Sequence, residues 1–225
     1  MPTYLVRVWV PDRPGALGAV ASRIGAVGGD LVGVEILERG GGRAVDEVLV
    51  DLPDADRVSL MVSEVGEVDG VDIEDVRPSL RGAPDAGLEA LGTAAALVEQ
   101  TAIDRLLDDL ARHGQRVFDA DWAAVIGLDG PVPLASMGVT PPGPWLSAFV
   151  AGSRSSVRVA AGECGPDDVA WASLDRADLA LVLGRRGRPF RSRERAQLAV
   201  LASIADHRWA ELVTRASQQA HPSIC

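Results

Sequence analysis

The sequence predicts an α+β chain of two domains, and three observations carry that expectation. Strand-like and helix-like segments follow one another in the order βαββαβ up to Val76. A stretch rich in proline and glycine, without apolar periodicity, comes next. The remainder opens and closes with long amphipathic helical patterns around several short strands. At 225 residues the chain is long enough for each part to bury its own core.

Tyr4 to Val10 alternates and is rich in β-branched and aromatic residues, the pattern of a half-buried strand ending at Pro11. Leu17, Val20, Ala21, Ile24 and Val27 recur at helical spacing, with Pro14 pre-set for the first turn and Gly28-Gly29 as the stop. Leu31 to Leu37 reads as a second strand, and Ala44 to Leu52 as a third. Between them Gly40-Gly41-Gly42 supplies the positive φ angles that a tight hairpin demands. Pro53-Asp54 opens a second helix, in which Val58, Met61, Val62 and Val65 share a face, and Val71 to Val76 closes the domain as a strand. Two βαβ halves joined by a hairpin make a four-stranded antiparallel sheet with both helices on one face, the ferredoxin-like arrangement. The other face of the sheet then needs cover.

The first domain is expected over residues 1–77, a linker over 78–87 and the second domain over 88–225. The second domain opens with one helix from Leu88 to about His113, carrying an apolar stripe of Ala95, Val98, Ala102, Ile103, Leu106, Leu107 and Leu110. Strands are expected at Trp122–Leu128, Val132–Met137, Ser156–Ala160, Val169–Leu174 and Leu179–Gly184, with a short helix starting at Pro144. A strong helix runs from Ser192 to about Ala216.

Composition excludes several classes of function. No apolar run approaches the roughly 20 residues that cross a bilayer, and Met1 to Arg7 lacks the pattern of a signal peptide, so a cytoplasmic location without membrane contact is expected. The net charge of −10 is uneven: residues 1–80 hold 15 Asp/Glu against 7 Arg, residues 81–225 hold 17 against 15, and there is no lysine. Such a chain repels phosphate backbones, which argues against nucleic-acid binding. Cys164 and Cys225 make neither a disulfide framework nor a metal cluster, and no cofactor motif is present.

Val10-Pro11-Asp12-Arg13-Pro14-Gly15-Ala16-Leu17, followed by a helix and then Gly29-Asp30-Leu31-Val32 opening a strand, resembles the ACT domain, a small-molecule-binding regulatory module. The resemblance implies pairing of such domains, commonly side by side as a homodimer, with an effector amino acid held at the interface. The second half resembles the GAF domain, a sensor fold with a pocket on one side of its sheet. That likeness lies in the order of elements: a leading helix, Trp122 to Gly127, Pro133 to Gly138, and Phe190-Arg191-Ser192-Arg193-Glu194 opening the final helix.

At the Asp12 to Leu17 turn, elementary chemistry supports a ligand site by itself. The first amides of a helix have no intrahelical partner and lie at the positive end of its dipole, so those of Gly15, Ala16 and Leu17 suit an α-carboxylate. The candidate ligand-binding residues are Asp12, Arg13, Pro14, Gly15, Ala16, Leu17 and Asp30, with Asp12 and the Asp30 of a neighbouring subunit as acceptors for an ammonium group. The competing interpretation is that Asp12 only caps the helix and Arg13 is solvated.

Other features point to structure rather than chemistry. The six arginines between Arg185 and Arg195 read as a solvated strand-to-helix turn, with a phosphorylated ligand or acidic partner as the alternative. His113, beside Gly114, reads as a helix C-terminus, and His207 as a neighbour of Trp209 on a packing face. The five tryptophans read as core anchors, and Cys164 as part of a loop. No nucleophile, base and stabiliser are seen together, so no enzyme is expected. Two functions remain: a non-enzymatic sensor binding an amino acid or similar small ligand at paired ACT domains, or a constitutive dimeric scaffold that binds an unidentified protein partner and has lost its ligands.

Overall fold

The computed structural model describes residues 1–79, 86–128, 130, 132–156 and 166–220. It divides into two compact units, Met1–Asp85 and Ala86–Cys225.

The first unit contains strand β1 (Thr3–Pro11), helix α1 (Ala16–Ala26), β2 (Asp30–Gly40), β3 (Arg43–Asp51), helix α2 (Val58–Gly66) and β4 (Asp72–Pro78). One 3-10 turn, Ala55–Arg57, leads into α2. The sheet order is β2-β3-β1-β4 with every neighbouring pair antiparallel, the ferredoxin-like fold that the sequence predicts.

Strand parity builds the core. Tyr4, Val6, Val8 and Val10 of β1 and Ala44, Val48 and Val50 of β3 face Ala16, Val20 and Ile24 of α1 and Met61 and Val65 of α2. Each of the valine, isoleucine and methionine side chains stabilises the fold by about 1.5–3 kcal/mol through burial. The hairpin forms as expected: Gly40 pairs with Arg43, and the two residues between them, Gly41 and Gly42, have φ of 59° and 76°. Gly29 is required for a different reason, since a Cβ there would stand 2.9 Å from Ile24 and 3.0 Å from Leu52.

The other sheet face carries charge. Arg7, only 1% exposed, donates to Glu47 at 2.9 Å. Arg77 reaches both Glu47 at 3.2 Å and Asp75 at 2.6 Å, and the Trp9 indole donates to Glu74 at 2.8 Å.

The second unit contains α3 (Ala86–Glu99), α4 (Ile103–Val117), β5 (Trp122–Gly127), β6 (Pro133–Met137), α5 (Gly143–Arg154), β7 (Val169–Leu174), β8 (Leu179–Gly184) and α6 (Ser192–Ala220). Its antiparallel sheet has the order β6-β5-β8-β7. Leu97, Leu106, Leu110, Leu198 and Leu201 pack α3, α4 and α6 on one face, against Val125, Leu181 and Leu183. Leu146 and Val150 pack α5 on the other, against Ile126 and Val182.

Several expectations need correction. The single helix from Leu88 to His113 is two helices, broken at Gln100–Ala102. The Gln100 carbonyl accepts two hydrogen bonds from Arg208, at 2.9 and 2.6 Å. That tertiary contact lies 108 residues away in sequence. Gly114 does not stop α4; it lies inside the helix, and a Cβ there would approach Leu183 to 3.2 Å. None of the five tryptophans is fully buried, and Trp145 is 42% exposed, stacked on Phe149. Most of the expected strand at Ser156–Ala160, of the Cys164 loop and of the 78–87 linker lies outside the described residues.

Candidate functional site

The predicted turn connects β1 to α1 and is tied to the β2–β3 hairpin by the Asp12 amide, which donates to the Gly42 carbonyl at 2.9 Å. Arg13 N–H closes a tight turn on the Pro11 carbonyl at 2.8 Å. Pro14 lies in this turn rather than in the first turn of the helix, which starts at Ala16. Gly15 is the N-cap residue, with φ of 88°, a left-handed conformation that glycine adopts without strain. The space where its Cβ would stand is open.

The start of α1 is bare, as are those of α2 and α5. No side chain caps it, so Asp12 does not play the capping role, and no acidic residue stands in its first turn to complement the dipole. The Ala16 amide donates to the Arg13 carbonyl over a long 3.3 Å and the Ala19 amide to the Gly15 carbonyl at 3.0 Å. Ala16 is therefore a weaker candidate donor than Leu17. Asp12, Arg13, Pro14 and Gly15 are exposed, Leu17 is half-buried, and Ala16 joins the core.

Asp30 is not brought to this turn within one chain. It opens β2 opposite Asp51, which itself pairs with Thr3, whereas the turn follows Pro11 at the other end of β1. Eight steps along β1 separate the two ends, about 26 Å at the ordinary rise of a strand.

One residue that sequence reasoning passed over lies close to the turn. Asp46 pairs with Val8 on one side and Ile36 on the other, so its side chain stands on the helix face of the sheet among core valines. It is 3% exposed, and its Oδ1 has no hydrogen-bond partner among the described residues. Burial pushes its carboxyl above the ordinary carboxylate range; the Arg39 charge draws it back and the Asp12 charge pushes it further up. The signal was present in the sequence, because Asp46 holds the same strand parity as Ala44, Val48 and Val50.

In the second unit the arginine run is largely structural. Arg185 is buried, lies 4.0 Å above the Phe190 ring, donates to the carbonyls of Phe118, Arg188 and Pro189, and pairs with Glu194 at 2.7 Å. Arg188 pairs with Asp119 at 2.8 Å. The solvated turn expected from sequence is thus a pinned one. His207 is exposed and bonds to the Ser203 carbonyl rather than packing beside Trp209. His113 lies 3.4 Å from Thr93, and burial, joined by the Arg116 charge, lowers its pKa below the usual histidine value. An open groove of about 400 Å³ is lined by Arg176, His207, Glu211, Thr214 and Arg215. Among the described residues no group of three or more His, Cys, Asp or Glu is placed to hold a metal ion, and no helix is long and apolar enough to cross a membrane.

Comparison with known proteins identifies an ACT domain at residues 4–70, which contain the turn, α1 and β2. No curated protein matches the chain. Similar solved structures include an unknown protein from Galdieria sulphuraria, 14% identical, covering 81% of this chain and 97% of that one with a TM-score of 0.32. They also include bacteriophytochrome RpBphP3 from R. palustris, 10% identical, where 81% of this chain covers 48% of that one with a TM-score of 0.36. The chain thus spans about half the length of that bacteriophytochrome chain.

Proposed function

We propose that this chain is a non-enzymatic regulatory protein of the cytoplasm that binds an amino acid or similar small ligand at the β1–α1 turn of paired ACT domains. An ACT domain suggests a regulatory, small-ligand-binding role. The observation that carries the finer reading is the bare start of α1 behind Gly15, with no capping side chain and no acid in the first turn. A ligand carboxylate would supply the missing negative charge.

Pairing would complete the site. β2 is an edge strand of 11 residues with Val32 and Val34 both exposed, a template for pairing with another chain. If two β2 strands pair antiparallel about Glu35, the Asp30 of the partner subunit comes beside Gly40, at the end where Asp12 bonds to Gly42. The separation of Asp12 and Asp30 within one chain is then a reason for dimerisation. The second unit, GAF-like in its element order, would report or reinforce that dimer.

A thermal-shift screen of the full chain against the amino acids tests this reading, since a ligand at 100 times its Kd adds about 2.7 kcal/mol. Asp12→Ala combined with Gly15→Val should abolish the response while the dimer persists in size-exclusion chromatography. A dimer with no response to any compound would favour the constitutive scaffold instead.

A further inference from the structure

We propose that Asp46 is the residue that reads the ligand's amino group, so that the site selects compounds carrying an ammonium group beside a carboxylate. The inference rests on the binding reading above and adds a residue outside the turn.

Three observations place Asp46 in this role. It stands on the helix face at the β1–β3–β2 row formed by Val8, Asp46 and Ile36. Two residues along β3 separate it from Ala44, which pairs with Val10 at the entry to the turn, about 7 Å at the ordinary rise of a strand. Finally, its Oδ1 is buried without a partner among the described residues. A buried carboxylate left with an empty acceptor position costs stability, and native structures fill such positions in nearly every case. The flanking charges are Arg39 on β2 and Asp12 in the turn. Arg39 is exposed, and no hydrogen bond joins it to Asp46 among the described residues.

The α1 amides and Asp46 thus offer complementary halves of one recognition device. A carboxylate takes the helix start, and an ammonium group donates to Asp46 Oδ1. Both ends of an α-amino acid would be held, and a simple carboxylic acid would satisfy only one.

The test is isothermal titration of the full chain with each of the twenty amino acids. The des-amino acid of the tightest binder follows, for example propionate for alanine or 3-phenylpropionate for phenylalanine. Removing one member of a buried charged pair typically costs 2–5 kcal/mol in binding, so Asp46→Asn should weaken the amino acid by at least about 30-fold. The same variant should leave the weak affinity for the des-amino acid unchanged. Circular dichroism and amide exchange would verify that Asp46→Asn stays folded. Binding kept by Asp46→Asn but lost by the Asp12→Ala, Gly15→Val variant would overturn the role of Asp46 alone. Absence of binding by wild-type protein would overturn both this inference and the reading beneath it.

Discussion

Replacing Asp46 by asparagine should stabilise the ACT domain near neutral pH, an unusual result for a buried polar site. The carboxyl is 3% exposed with Oδ1 unpartnered, and burial raises its pKa above the ordinary value of 3.8. The folded state therefore holds the proton more tightly than the unfolded state. Stability is greatest below the unfolded value, falls as pH rises through the folded value, and stays low above it. An unsatisfied buried polar atom costs about 1–3 kcal/mol, of which the attraction of Arg39 returns a part and the near-isosteric amide retains a part. A gain of about 1 kcal/mol at pH 7 is expected, a rise of about 4–8 °C in the melting of a domain this size. Trp9 is the one tryptophan of the first unit, the others being Trp122, Trp145, Trp171 and Trp209, so ¹⁹F NMR of fluorotryptophan-labelled full-length protein can follow this domain by itself. The advantage of the variant should shrink as pH falls and vanish well below the ordinary carboxylate value, where the wild-type carboxyl is protonated in both states. An equal or lower stability at pH 7, or a difference independent of pH, would refute the reasoning. A stabilised variant that has lost its ligand is the trade-off expected of a binding residue.

Three further outcomes follow from the geometry. Gly184→Ala would drive a Cβ to 2.2 Å from the Trp122 ring, costing about 1–3 kcal/mol by overpacking; the Trp122 fluorine signal should report earlier unfolding of the second unit, and unchanged melting would count against the contact. Glu194→Leu leaves the Arg185 guanidinium buried without its anion, and loss of one member of such a pair costs about 3–5 kcal/mol; urea denaturation should show it, whereas a shift below about 1 kcal/mol would mean that the three carbonyls suffice. Val34→Lys on the exposed β2 edge should convert a dimer to a monomer in light scattering with its circular dichroism intact, and a persistent dimer would move the pairing surface elsewhere.

The parts of the fold legible in sequence were those governed by local rules. Alternation along Tyr4 to Val10, the three glycines at 40–42 and the glycine pair after α1 each encode their conformation within a few residues, and β7 and β8 occur at Val169–Leu174 and Leu179–Gly184 as the pattern predicts. The failures share one cause, contact between residues distant in sequence. Arg208 holds the break between α3 and α4 from 108 residues away, and Gly114 looked like a helix stop because the leucines of β8 that need its missing side chain are far along the chain. The arginine run looked solvated because the carbonyls that bury Arg185 come partly from Phe118. At the site, the turn was readable from Asp12 to Leu17, but a strand pattern scored for its apolar positions passes over Asp46, the one charge among them on β3.

The most direct test of ligand binding at the turn is an amide ¹H–¹⁵N spectrum of the full chain titrated with the amino acid that gives the largest thermal shift. The account predicts the largest chemical-shift changes at Gly15, Leu17 and Gly18, with Asp46 and the β2 residues following. Changes confined to residues beyond Ala86, or none at saturating ligand, would contradict it.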